Sequence, residues 1–316
     1  MADILMPTPM APLVIEGVGK IGTLHKLWEA KDADAEIARL APKIVGMAVG
    51  GGHARIDGAF MGRFPNLKIV SSFGVGYDHV DAAWAGRHGI IVTNTPDVLN
   101  EEVADTALGL LLCTVRRLPQ GDRYLREGKW MKGAFPLSDS LRDKTMGVLG
   151  LGRIGKAIAR RAEACGLKVA YHGRSKQADV AYPYFASLTE MAKAVDILMV
   201  ITPGGAGTNK LVNAEVLAAL GPKGVLINVA RGSVVDEAAL IDALKNGVIS
   251  AAGLDVFEVE PCLPSELAAM DNVVLLPHVG SASVATRRAM GQLVVDNLAS
   301  FLGGKGALTP VPETAG

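Results

Sequence analysis

Short apolar runs alternate with amphipathic stretches along most of the chain. "KIVGMAVG" (43–50), "LKIVSS" (67–72) and "GIIVTNT" (89–95) read as buried strands that end at glycine or polar residues. Between them, 55–62 and 79–87 carry helical character. A second series starts near residue 145 with "TMGVLG", "KVAYHG", "DILMVIT", "GVLINVA", "AAGLDVF" and "NVVLLPH". Helix-like segments at 154–165, 188–195, 213–220 and 235–246 separate them. Strand, helix, strand at this spacing predicts parallel sheets joined by right-handed crossovers, and two such series predict two α/β domains. The stretch 101–130 has an acidic start, an apolar middle and a basic end, which predicts one long helix whose charges complement its dipole. Another amphipathic helix is predicted over 283–304, with a glycine stop.

Composition narrows the class without changing this picture. A chain of 316 residues has room for two ordinary domains, and 49% hydrophobic against 20% charged residues suits packed cores rather than disorder. Lysine plus arginine (32) cancels aspartate plus glutamate (32), which argues against a nucleic-acid partner. Cys113, Cys165 and Cys262 lie far apart with no CxxC pair, so no zinc or redox motif is expected and a reducing compartment fits. "MADILMPTPM" lacks the basic start and long apolar core of a signal peptide, and no apolar run reaches membrane-spanning length. The expectation is a cytoplasmic protein with no membrane association.

The candidate chemistry begins at "TMGVLGLGRIG", where Gly150, Gly152 and Gly155 have the GxGxxG spacing after an apolar strand and before an apolar helix. Gly150 makes the turn, Gly152 lets backbone approach a pyrophosphate, and Gly155 permits close strand–helix packing. The helix N-terminus faces the phosphate charge. In such units the second strand ends in Asp or Glu, which accepts a hydrogen bond from the ribose 2′-hydroxyl of NAD. Here that position is Gly173, followed by Arg174, Ser175 and Lys176. Losing the carboxylate removes its repulsion of a 2′-phosphate, and the basic residues and hydroxyl supply partners, so NADP(H) is expected in preference to NAD(H).

Three later stretches place Arg231 in "INVARGSVVDEAAL", Asp255 and Glu260 in "AGLDVFEVEP", and His278 in "LLPHVGSASVATR". Each follows a strand, and open α/β sheets bind ligands outside the carboxyl ends of their strands. Reducing a carbonyl by hydride transfer leaves an alkoxide that needs a proton, which histidine can give. A neighbouring carboxylate favours the charged imidazole, and an arginine clamps a carboxylate or polarises the adjacent carbonyl. Arg231, Glu260 and His278 therefore read as a site for 2-keto acid reduction.

These stretches, with "SSFGVGYDHVD", "VTNTPDVLNEEVADTALGLLL" and "GPKGVLINVARGSVVDEAAL", resemble the D-2-hydroxyacid dehydrogenase family in sequence and in order, and within it the NADPH-dependent glyoxylate/hydroxypyruvate reductase branch. The resemblance implies two Rossmann/flavodoxin-like domains with the active site in the cleft between them. The substrate domain would be discontinuous, 1–99 plus 288–316, with an NADP(H)-binding domain over 100–287 inserted in it. It implies that Arg231 binds the substrate, His278 is the acid/base and Glu260 tunes it. The amides of Val75 and Gly76 would take the substrate carboxylate. Leu151, Arg153, Ile154, Thr202, Pro203, Val229 and Ala230 would line the cofactor with Gly150, Gly152 and the 173–176 loop, and Asp255 would hold the nicotinamide carboxamide. Family members dimerise through the region corresponding to 101–130, so a homodimer is expected. "GGAGTNKLVN" after Pro203 is more glycine-rich than the family pattern. Two alternatives remain: an arylpyruvate reductase such as a hydroxyphenylpyruvate reductase, and a non-catalytic, corepressor-like nucleotide sensor on the same fold.

Overall fold

Aliphatic runs without alternation belong to strands covered on both faces, and they occupy such strands here. The structure, a computed structural model, describes residues 1–50 and 55–315. It divides into two compact units, one of Met1–Leu99 with Ser283–Gly316 and one of Asn100–Ala282.

The first unit opens with β1 (Ala2–Met6), α1 (Pro12–Ile21), β2 (Gly22–Lys26), α2 (Ala33–Leu40), β3 (Ile44–Val49), α3 (Gly58–Met61), β4 (Ile69–Ser72), α4 (Ala82–Arg87) and β5 (Ile91–Thr93). Its sheet runs β2-β1-β3-β4-β5, parallel throughout. The elements β1 to β2 lie outside the runs that the hydrophobic pattern marks. In α1, Gly17 and Gly19 interrupt the periodicity, and a side chain at Gly17 would lie 2.7 Å from Val295. One face of the sheet packs Leu5, Met47, Val70 and Val92 with Ile37, Leu40 and Met61.

The second unit comprises α5 (Asn100–Arg116), α6 (Leu118–Arg126), β6 (Thr145–Leu149), α7 (Arg153–Ala164), β7 (Lys168–His172), β8 (Tyr184–Phe185), α8 (Leu188–Ala194), β9 (Ile197–Val200), α9 (Ala214–Leu220), β10 (Val225–Asn228), α10 (Glu237–Lys245), β11 (Ala251–Leu254), α11 (Ser265–Ala268) and β12 (Val273–Leu275). Its sheet is also parallel, in the order β12-β11-β10-β9-β6-β7-β8. The winding reverses between β6 and β9, which makes the ends of those strands the switch point where open sheets bind ligands. The single helix expected over 101–130 is two. Arg117 takes a left-handed conformation (φ 54°) and ends α5, and Pro119 lies in the first turn of α6. Proline inside a continuous helix would lack the N–H for the carbonyl four residues back and would clash with it, so the break falls where the clash would. Arg161 of α7 clamps α5 through Glu101 (2.7 Å) and Asp105 (2.6 Å).

The chain then returns to the first unit through α12 (Val284–Leu302). The return falls at Ser283 rather than 288, because Ser283 caps the helix by accepting from the Thr286 amide and α12 enters as one piece. α12 buries Val294, Val295 and Leu298 against Ile4, Met6, Val14, Val18, Ala48 and Ile69. The tail beyond it pairs with β5: Pro310 bridges Thr93, and the Thr314 hydroxyl accepts from the Val92 amide (3.0 Å). Among the described residues no helix is long and apolar enough to cross a membrane, and no cluster of His, Cys, Asp or Glu has the make-up of a metal site. The three cysteines are free.

Candidate active site

At the switch point, the turn from β6 to α7 shows why its glycines are spaced as they are. Gly150 has φ +100°, and its amide donates to the His172 carbonyl (3.0 Å). A Cβ on Gly155 would lie 2.2 Å from the Gly150 carbonyl oxygen, so the helix seats against its own strand. A Cβ on Gly152 would meet nothing within 4 Å. Helices α8, α9 and α10 are capped by the side chains of Ser187, Asn213 and Asp236, whereas α7 begins at Gly152 with no side-chain cap. The first-turn N–H groups of a helix have no intrahelical acceptors, and an uncapped helix start with open space at its first glycine is the arrangement that takes an anion. These features fit the pyrophosphate of a dinucleotide. Leu151, in the turn itself, is buried.

Beyond β7 the chain turns at Gly173 into exposed Arg174, Ser175 and Lys176. Neither Arg174 nor Lys176 makes an ion pair among the described residues, although the neighbouring Lys156 pairs with Asp179 (2.9 Å). Gln177 fixes this loop. Its amide donates to the Tyr171 hydroxyl (2.8 Å) and its side chain donates to the Leu151 carbonyl (2.8 Å), tying the basic loop to the glycine turn. Thr202 and Pro203 follow β9, and the Thr202 backbone would lie 2.8 Å from a Cβ on Gly150. The Pro203 carbonyl accepts from the Thr208 hydroxyl (2.7 Å), which folds back the glycine-rich 204–207 stretch.

Asn228 shapes the next strand end. Its buried side chain accepts from the Ala230 amide (3.0 Å) and donates to the Arg231 carbonyl (3.0 Å), which fixes the turn of Val229, Ala230 and Arg231. The Arg231 Nη1 donates to the Ala230 carbonyl (2.7 Å) and its side chain is half-buried.

After β11, Asp255 is 2% exposed, and its two carboxylate oxygens accept from the amides of Val279 (2.7 Å) and Gly280 (2.8 Å). Its carbonyl accepts from the His278 amide (2.9 Å). Burial pushes the Asp255 carboxyl up, against the pull of those two amides. Asp255 thus builds the turn in which His278 adopts φ +52°. The His278 Nδ1 lies 2.5 Å from Glu260 Oε2, and Glu260 Oε1 accepts from the Phe257 amide (2.8 Å). Burial raises Glu260, but the hydrogen bonds from His278 and Phe257 and the charges of His278 and Arg231 outweigh it and hold the carboxyl below its ordinary value. The His278 side chain is 45% exposed, and its Nε2 has no hydrogen-bond partner among the described residues. A ring held through one nitrogen by a fixed carboxylate and open at the other can exchange a proton with a bound molecule.

In the first unit, Val75 and Gly76 lie just past β4. The amides of both lack a protein acceptor among the described residues. Sequence reading passed over Gln177, Asn228 and Asn94, whose side chain donates to the Val75 carbonyl (2.8 Å). All three act on backbone, and only the burial of a polar residue at a strand end, as in "INVARG", signals such a role.

Comparison with known proteins places this architecture. The model of the D-isomer specific 2-hydroxyacid dehydrogenase NAD binding domain matches residues 108–280. The chain is 46% identical over 308 residues to a glyoxylate/hydroxypyruvate reductase A of Arabidopsis thaliana, covering 98% of each. It is 45% identical, with the same coverage, to a hydroxyphenylpyruvate reductase of Plectranthus scutellarioides. A crystal structure of an NADPH-dependent glyoxylate/hydroxypyruvate reductase from Sinorhizobium meliloti, in complex with NADP and malonate, superposes with a TM-score of 0.93 at 54% identity, covering 99% of this chain and 97% of that one. The chain belongs to the D-isomer specific 2-hydroxyacid dehydrogenase family.

Proposed function

We propose that this protein reduces a small 2-keto acid, glyoxylate or hydroxypyruvate, to the D-2-hydroxy acid with NADPH. The observation that carries the reading is the His278–Glu260 pair, with Nδ1 held at 2.5 Å and Nε2 open. NADPH, when bound, supplies the hydride. The keto oxygen then needs a proton, and His278 Nε2 delivers it. Glu260 keeps the ring oriented and faces its charge. Arg231 binds the keto oxygen and the carboxylate, giving a fixed positive charge where negative charge develops. The amides of Val75 and Gly76 take the substrate carboxylate.

For the cofactor, the glycine turn and the first turn of α7 receive the pyrophosphate. Arg174, Ser175 and Lys176 receive the 2′-phosphate that a carboxylate at position 173 would repel. Thr202, Pro203, Val229 and Ala230 flank the dinucleotide, and Asp255 accepts from the carboxamide. The NADPH-dependent relative from Sinorhizobium meliloti supports this preference.

The free thiols suit a cytoplasmic enzyme. A homodimer through 101–130 is supported by the exposure of Leu118, Leu125, Trp130 and Met131. Beside them, a cavity of about 520 Å³ contains none of the residues assigned to chemistry and is lined by Leu110, Cys113, Gln120 and Leu275. The Gln120 Oε1 there is buried with no hydrogen-bond partner among the described residues.

The test is a matrix of initial rates for glyoxylate, hydroxypyruvate and hydroxyphenylpyruvate, each with NADPH and NADH. Fast reduction of the small acids with NADPH is expected. Preference for the aryl acid, the activity named for the Plectranthus scutellarioides relative, would keep the mechanism and change the substrate. NADPH binding without turnover of any of them would overturn the reading in favour of a nucleotide sensor.

A further inference from the structure

The loop bearing Val75 and Gly76 is held by residues 94 and 95. The Thr95 amide donates to the Gly74 carbonyl (2.8 Å), the Gly74 amide donates to the Thr95 hydroxyl (3.0 Å), and the Asn94 side chain donates to the Val75 carbonyl (2.8 Å). A trans peptide points its C=O and N–H in opposite directions. The Gly74 carbonyl shares a peptide plane with the Val75 N–H, and the Val75 carbonyl shares one with the Gly76 N–H. Drawing both carbonyls toward residues 94 and 95 therefore turns both N–H groups the other way. Those are the two amides left without an acceptor among the described residues.

Asn94 is itself fixed by a hydrogen-bonded chain that runs to α12. The Thr309 hydroxyl donates to the Asn94 carbonyl (2.6 Å), and the Asn94 amide donates to the Thr309 carbonyl (3.3 Å). The fully buried Asn297 donates to the Thr309 hydroxyl (2.9 Å) and to the Leu293 carbonyl (2.9 Å), and accepts from the amides of Leu308 and Thr309 (3.0 Å each). All four hydrogen-bonding positions of its amide group are used, so the group cannot rotate without loss.

We infer that Asn94 is a positioning residue that aims the Gly76 amide at the substrate carboxylate, and that Thr309 and Asn297 hold Asn94 in place. The inference rests on the proposal that these amides take a 2-keto acid. Because an amide bound to a carboxylate serves ground state and transition state alike, losing its aim raises KM and spares kcat.

The experiment compares wild type with Asn94→Ala, Asn94→Asp and Thr309→Val. It measures steady-state glyoxylate kinetics, competitive inhibition by oxalate, NADPH affinity by fluorescence and Tm. In both Asn94 variants the glyoxylate KM and the oxalate inhibition constant are expected to rise about tenfold or more, the weight of a hydrogen bond to a charged group. NADPH affinity and kcat should stay near wild type. Thr309→Val, which removes the hydroxyl at similar volume, is expected to move the same two constants in the same direction by less, and it carries the test if the Asn94 variants fail to fold. A lower Tm with unchanged glyoxylate KM and oxalate inhibition would show a merely structural role and overturn the inference while leaving the proposed activity intact. If the wild type reduces neither glyoxylate nor hydroxypyruvate, the proposed activity falls and the inference falls with it.

Discussion

Two glycines three residues apart in the β6–α7 turn are expected to fail in opposite ways when each becomes alanine. In Gly155→Ala the new Cβ lies 2.2 Å from the Gly150 carbonyl oxygen and 3.2 Å from its carbon, and both are backbone atoms with no flexible end to yield. Contacts of this kind essentially never fall below 3.0 Å, so α7 must move off β6 by about 0.8 Å, an overpacking that costs about 1–3 kcal/mol. At ~2–4 °C per kcal/mol for a unit of this size, Tm should fall by roughly 2–12 °C without cofactor. Gly152→Ala meets no protein atom within 4 Å and has φ −80°, which alanine accepts. It loses only a fraction of a helix cap, so Tm should change by about 2 °C or less. Its methyl instead occupies the space over the α7 N-terminus, and NADPH should bind about 10- to 100-fold more weakly, the weight of one or two impaired hydrogen bonds to phosphate. Differential scanning fluorimetry of cofactor-free protein and fluorescence titration with NADPH read the two effects separately. Wild-type affinity in Gly152→Ala would refute the placement of the phosphates, and wild-type Tm in Gly155→Ala would refute the packing argument.

His278→Ala is expected to lower kcat by roughly two to four orders of magnitude, the range of a lost acid–base group, with NADPH affinity near wild type in the same titration. Gly173→Asp combined with Arg174→Ala should shift the ratio of kcat/KM values toward NADH, since it restores an acceptor for the 2′-hydroxyl and deletes a phosphate partner; an unchanged ratio would remove the 173–176 loop from cofactor choice. Glu260 is held below its ordinary value, so the stability it contributes is present above the unfolded value of about 4.3 and is lost as pH falls through the lower folded value. The Tm difference between wild type and Glu260→Gln should accordingly be largest above about pH 5 and close on further acidification; a difference independent of pH would contradict it.

The parts of the fold that could be read from the chain are those written locally. The glycine turn, the flanking strand and the helix fall within twenty residues, and each is set by the same few atoms. Six of the seven strands of the second unit were legible because they carry apolar runs, whereas the two-residue, half-buried edge strand β8 was not. The strands β1 and β2 were not legible either, since β1 runs into the proline-broken "MPTPM" and β2 contains a threonine, a histidine and a lysine. The break at Arg117 was written in Pro119, yet the charge gradient of 101–130 outweighed it. Arg231, Glu260 and His278 stand at strand ends where chemistry is expected. The residues that aim the site are polar groups bonded to distant backbone: Gln177 reaches 26 residues back and Thr309 reaches 215 back. Nothing local marks them, because their partners exist only once the sheet is assembled.

The return of the chain through α12 has a consequence for biosynthesis. The second unit is one continuous stretch, Asn100–Ala282, whereas the first needs residues from both ends of the chain. Until α12 emerges from the ribosome, Ile4, Met6, Val14, Val18 and Ile69 lack the helix that covers them, and β5 lacks Thr314 at Val92. The portion made first is therefore the portion completed last. A nascent chain halted before Ser283 would carry a finished dinucleotide-binding unit beside an open apolar sheet face, the kind of surface that chaperones hold and that aggregates when they do not.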